Sequence, residues 1–229
     1  MASSKGYVNR LLLNFQDAVL YESDLELLES PIAWLNDNII HFALKCLQQR
    51  HAPAPIHFMD PAVISFLMHQ CTDDEDLLEF MEGNATLLQA RRILCPINDG
   101  HIPSEQWQRC SGTHWSLLII EQSNGGNVHY YHWTSVKGSN ARAAQAVADK
   151  LAVIFQNNAT PTVVECASPQ QVNGYDCGLH VLAAAEFLAP LESLHPNSLL
   201  GHNTNLLELR RQLEVEVKER AKEYAQTLK

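Results

Sequence analysis

Apolar positions along this chain change their period near residue 90, and that change predicts the architecture. In residues 34–49 (WLNDNIIHFALKCLQQ), Ile39, Ile40, Phe42, Ala43 and Leu47 fall at helical spacing. Asp60-Pro61 reads as an N-cap followed by a proline in the first helical position, opening a helix through Met68. The acidic run Asp73, Asp74, Glu75, Asp76 stands before Leu77, Leu78, Phe80 and Met81, the composition of a dipole-favoured first turn. Beyond residue 90, segments 92–97, 115–121, 127–133 and 162–167 are short, apolar and partly β-branched or aromatic, and they read as strands. Asn124-Gly125-Gly126 is a hairpin signal that makes the second and third strands an antiparallel pair. Residues 140–155 return to helical spacing. Residues 178–189 are a nearly continuous apolar run, too long for a strand and read as a buried helix, and 204–227 are charged and amphipathic. Helices at both ends with strands between them predict an α+β fold. No repeat or Ser/Gly linker divides the 229 residues, so one domain over 1–229 is expected.

Charge and cysteine usage narrow the function classes. Asp and Glu number 26 against 16 Lys and Arg, a formal charge of −10, which argues against nucleic acid and anionic membrane as partners. The six cysteines (46, 71, 95, 110, 166, 177) are widely and irregularly spaced, and no secretory-type apolar segment precedes them. They are expected to be reduced, in a cytoplasmic or nuclear protein. Cys46, Cys95 and Cys166 fall in apolar patterns and read as core thiols, whereas Cys71 and Cys110 lie near loops and read as partly exposed. No CxxC or HxxxH pair offers a zinc framework, so neither metal nor cofactor is expected.

The candidate chemistry sits at element junctions. Cys177 lies where a polar loop (SPQQVNGYD) gives way to the buried helix, and a thiol at a helix N-terminus faces free N–H groups that favour thiolate. Gly178 lets backbone approach a bound carbonyl, and His114 opens a strand just before Trp115. A cysteine with a remote histidine is the minimal pair for acyl transfer through a thioester.

Several segments carry a resemblance. Ser23-Asp24 with Leu27-Leu28, Trp34-Leu35-Asn36-Asp37, Asn98-Asp99, Gly112-Thr113-His114-Trp115-Ser116-Leu117-Leu118, Tyr130-Tyr131, and Gln171-Val172-Asn173-Gly174-Tyr175-Asp176-Cys177-Gly178 occur in this order. Together they resemble the Ulp-type, sentrin-specific cysteine proteases that process ubiquitin-like modifiers, and within them the deneddylase branch. The resemblance implies a papain-like fold with a central, mainly antiparallel sheet flanked by helices. It implies Cys177 as nucleophile, His114 as the residue that holds the thiolate as an ion pair and protonates the leaving amine, and Gln171 as oxyanion donor beside the Cys177 N–H. It places Trp34 and Trp115 over a narrow channel for the modifier's Gly-Gly tail, and Asp37 against the segment before it.

One position departs from the family. Its third catalytic residue is an Asp in a Tyr-Asp-Ser-like sequence after the hairpin; here the slot is assigned to His132, and no acid lies between Glu121 and Asp149. A neutral imidazole accepts one hydrogen bond but supplies no negative charge. Two readings stand: an active, slowed isopeptidase and processing protease in which His132 orients His114, or a weakened relative that binds a ubiquitin-like modifier. A Nedd-type modifier is the first expected substrate, with SUMO and ubiquitin behind it, and a monomer is expected. The segment between Asp99 and His114 corresponds to a closing loop in the deneddylases, longer here and with Ser111-Gly112 in place of paired glycines.

Overall fold

The computed structural model describes residues 9–83, 85–101, 112–123, 127–155 and 160–228. Its centre is a five-stranded sheet of β3 (Ile56–Phe58), β4 (Arg92–Asn98), β5 (Trp115–Gln122), β6 (Val128–Trp133) and β7 (Val163–Cys166), in that spatial order. β5 pairs antiparallel with both β4 and β6, while the edge strands β3 and β7 add parallel, so the sheet is mixed with an antiparallel centre. The β5–β6 register runs from Leu117↔Trp133 to Gln122↔Val128, the antiparallel pair expected from the pattern. The turn at Asn124-Gly125-Gly126 lies outside the described residues.

Strand alternation sends side chains to two separate cores. Leu94, Leu117, Ile119 and Trp133 pack with Ile40 and Leu44 of α2 (Asp37–His51) and with Leu182 and Ala185 of α6 (Cys177–Leu188). Ile93, Cys95, Leu118, Ile120 and Tyr130 face Ile64 and Leu67 of α3 (Pro61–His69) and Val147 and Leu151 of α5 (Ala141–Ile154). Every residue of β4 is consequently buried, and the fold is α+β. Helices α1 (Glu22–Glu29), α4 (Asp74–Gly83) and α7 (Leu206–Thr227) complete the α-helices among the described residues, beside two short 3-10 turns at Ala85–Gln89 and Asp99–His101.

A small antiparallel hairpin of β1 (Leu11–Phe15) and β2 (Ala18–Tyr21) was not among the expected elements. Its turn uses Gln16 and Asp17 at φ 49° and 71° in place of an Asn-Gly signal. β3 has only three residues, too few to show a period. Arg92 is fully buried: it donates to the carbonyls of Leu188, Ala189 and Leu191 and pairs with Glu121, closing the C-terminal end of α6. Cys46, Cys71, Cys95, Cys166 and Cys177 are free and buried. Cys71, at 2% exposure, thus departs from its expected partial exposure because it packs beneath Leu77 and Phe80 in the second core. Cys110 lies outside the described residues.

Candidate active site

Cys177 is the first residue of α6, with Asp176 as its N-cap. The preceding turn is tied by Asn173, whose Oδ1 accepts from the Tyr175 and Asp176 N–H groups and whose Nδ2 donates to Asp176 Oδ2. Arg210 of α7 stands 3.7 Å from Asp176 Oδ1. The backbone N–H groups of Trp115, Gly178 and Cys177 itself act on the thiol in favour of its charged form. Burial pushes the thiol up from its ordinary value and Asp176 adds to this, while those N–H groups pull partly back. The helix terminus was expected to favour thiolate. At 2% exposure burial works against that preference.

His114 stands on the residue before β5, held at its backbone from two sides. Its N–H donates to Asp99 Oδ1 at 3.1 Å, and its carbonyl accepts from Asn140 Nδ2 at 2.9 Å. Burial lowers the imidazole pKa, Asp99 counteracts this and His180 reinforces it. Burial disfavours the Asp99 carboxylate, but donors from the Thr113 side chain, Thr113 N–H and His114 N–H outweigh it and hold that pKa low.

His132 does not orient His114. Its Nε2 is 2.8 Å from Ser116 Oγ, it is 1% exposed, and burial, followed by His114, lowers its pKa to about 4. The residue on the His114 ring is Thr134, whose Oγ1 lies 2.9 Å from His114 Nε2. The reason is geometric. His132 is still inside β6, paired with Leu118, whereas Thr134 is the first residue past the strand end, where the chain turns beside His114. A signal was present in the sequence: matching the serine of the family's Tyr-Asp-Ser-like segment to Ser135 puts the third slot on Thr134.

Ser135 also went unnoticed in the sequence. Its Oγ donates to Gln171 Oε1 at 2.7 Å, and its carbonyl accepts from the Gln171 N–H at 2.9 Å. Gln171 Nε2 gives one hydrogen to the Asn173 carbonyl at 2.7 Å, and the amide's second hydrogen remains for a ligand.

A cleft of about 270 Å³ is lined by Trp34, Asp37, Asn98, His101, Gly112 and Trp115, among others. Trp34 is 45% exposed at its mouth, Trp115 is buried in its wall, and Asp37 is exposed at the start of α2. The Trp115 indole donates to the Leu35 carbonyl at 3.0 Å. The Trp34 loop is held from below by two buried charges. Asp24 accepts from the Tyr21 N–H and from the Asn36 and Asn38 side chains. Arg210 donates to the carbonyls of Leu27, Ser30 and Ala33. Gly112 is required where it stands, because an added Cβ would fall 1.2 Å from Asn98 Oδ1. Residues 102–111 of the expected closing loop, including Ser111, lie outside the described residues. Among the described residues no group of three or more His, Cys, Asp or Glu is placed to hold a metal, and no helix is long and apolar enough to cross a membrane.

The chain is 35% identical over 178 residues to NEDD8-specific protease 1 of Arabidopsis thaliana, covering 77% of this chain and 74% of that protein. It is 32% identical over 182 residues to human sentrin-specific protease 8, covering 78% and 81% respectively. Its fold matches a de-sumoylating protease with a TM-score of 0.69 at 18% identity, over 94% of this chain and 93% of that one. It also matches the C-terminal Ulp1 protease domain in complex with Smt3, with a TM-score of 0.62 at 20% identity, over 95% and 90%. The Ulp1 protease family model, for its C-terminal catalytic domain, matches residues 33–224, and the chain belongs to this family of cysteine-type peptidases.

Proposed function

We propose that this peptidase cleaves after the C-terminal Gly-Gly of a ubiquitin-like modifier, Nedd-type first, both maturing its precursor and releasing it from conjugated lysines. One observation carries the reading. Trp115 lines the cleft, and its backbone N–H is among the groups that favour the charged form of the Cys177 thiol, so a tail lying along this cleft is brought towards the nucleophile. Tryptophan walls admit glycine and exclude residues with side chains. The NEDD8-specific and sentrin-specific relatives support the Nedd-type modifier over SUMO and ubiquitin.

The chemistry follows from the atoms present. Nε2 of His114 is occupied by Thr134, which leaves Nδ1 to take the Cys177 proton as sulfur attacks the glycine carbonyl. The oxyanion is met by the Cys177 N–H and the spare Gln171 amide hydrogen. His114 then protonates the leaving amine, and water hydrolyses the thioester with the same imidazole as base. The chain's charge of −10 supports a protein partner over nucleic acid or membrane, and a free thiol nucleophile suits the reducing cytoplasm or nucleus of a monomeric enzyme.

A second reading, a modifier-binding relative with weak turnover, is favoured by one fact: Thr134 gives His114 no charge. Precursors of Nedd-type modifier, SUMO and ubiquitin, assayed in parallel with an electrophilic probe built on each modifier's C-terminus, decide between them. Expected are cleavage of the Nedd-type precursor, labelling of Cys177, and loss of both in Cys177→Ala. Binding without cleavage or labelling would establish the second reading; preference for SUMO would overturn the choice of modifier and keep the mechanism.

A further inference from the structure

We infer that Thr134 is the third member of the catalytic assembly, an uncharged positioning residue that fixes which nitrogen of His114 carries the proton. The inference rests on the protease reading above and deepens it at one atom. Thr134 Oγ1 has one hydrogen and two acceptor positions, and the surroundings account for all three. The hydroxyl donates to the Val136 carbonyl at 3.1 Å, and the oxygen accepts from the Val136 N–H at 3.4 Å. What remains is an acceptor position, 2.9 Å from His114 Nε2. With its own hydrogen committed to Val136, the hydroxyl holds the neutral imidazole in the Nε2–H form. Nδ1 is then the unprotonated nitrogen that receives the thiol proton.

This arrangement does half of what a carboxylate does there. An acid both selects the tautomer and stabilises the imidazolium; the hydroxyl selects without stabilising. The titratable groups around His114 are Asp99 on the turn after β4, His132 on β6 and His180 on α6. Asp99 is the one neighbouring carboxylate among them, and its oxygens are engaged by the Thr113 and His114 N–H groups and the Thr113 hydroxyl. The Asp99 charge is therefore already shared among three donors beside the His114 backbone. Thr134 is itself fixed through its carbonyl, which accepts from Gln170 Nε2 at 3.1 Å, and Ser135 next to it holds Gln171. One two-residue segment thus aligns base and oxyanion donor.

The test compares Thr134→Val, Thr134→Ser and Thr134→Asp on a fluorogenic modifier substrate. It adds NMR of the His114 ring nitrogens in a Cys177→Ala background, where the thiol no longer titrates. Expected for Thr134→Val is a kcat loss of about 10²-fold or more at little-changed KM, together with loss of the single Nε2–H tautomer. Thr134→Ser keeps both within a few-fold. Thr134→Asp raises the His114 pKa and kcat, because a carboxylate beside the ring favours its charged form. If Thr134→Val does not fold, Thr134→Ala carries the same comparison. An unchanged tautomer and kcat on removal of the hydroxyl would overturn the inference. If wild-type protein cleaves no modifier while the His114 tautomer still follows residue 134, the protease reading fails and the positioning role stands.

Discussion

At Gly178 an added Cβ would lie 3.0 Å from Leu35 Cβ, so the residue after the nucleophile packs directly on the loop that carries Trp34. Leu35 is 2% exposed and its carbonyl is the anchor of the Trp115 indole, so it cannot retreat without moving the channel wall. Gly178→Ala should therefore lower kcat/KM for a modifier substrate by roughly ten- to a hundredfold, with a much smaller change in melting temperature. Steady-state kinetics beside a thermal melt check this, and wild-type kcat/KM would show that the contact does not govern the channel. Cys177, His114, Trp34 and Trp115, to which the proposed mechanism gives the chemistry and the channel, stand out in the sequence because each sits inside a contiguous motif. Thr134 and Ser135 were not. Their roles depend on where β6 ends, and strand ends are set by tertiary packing rather than by local pattern.

Among the elements, α6 carries the proposed nucleophile, Cys177, at one end and a buried cation at the other. Arg92 satisfies carbonyls at the C-terminus of the helix and pairs with Glu121, whose other oxygen accepts from the Leu194 N–H. Arg92→Met leaves buried carbonyls and a carboxylate without their donor. Its expected cost is about 3–5 kcal/mol of stability, read from a urea denaturation midpoint. A loss under 1 kcal/mol would mean that water replaces the guanidinium. The helix itself was visible as an apolar run too long for a strand, and α2, α3 and α5 as periodic stretches. The β1–β2 hairpin escaped notice because its turn, Gln16-Asp17, lacks the glycine that normally announces positive φ. β3 exists because β4 offers it an edge, information that no three-residue segment contains.

For the whole molecule, buried histidines set the response to acid. His101 and His132 are 5% and 1% exposed, and burial lowers both pKa values from 6.5 to about 4. Burial lowers His41, His57 and His180 in the same direction. Below 6.5 the unfolded chain takes up protons that the folded chain refuses. Stability is therefore full above pH 6.5, falls as pH drops towards 4, and stops falling on this account below it. His101 and His132 each contribute on the order of 3 kcal/mol to that loss. Denaturation midpoints at pH 7 and 4.5 measure it, and His132→Gln should flatten the slope; equal midpoints would sink the account. Arg210 joins distant parts of the same molecule, since α7 reaches the carbonyls of Leu27, Ser30 and Ala33 and the Asp176 carboxylate next to Cys177. Synthesis runs from the N-terminus, so Cys177 and His114 leave the ribosome before the clamp that braces their surroundings. A nascent chain is then a silent protease, and ribosome-arrested chains of increasing length should bind the modifier probe covalently only once α7 has emerged.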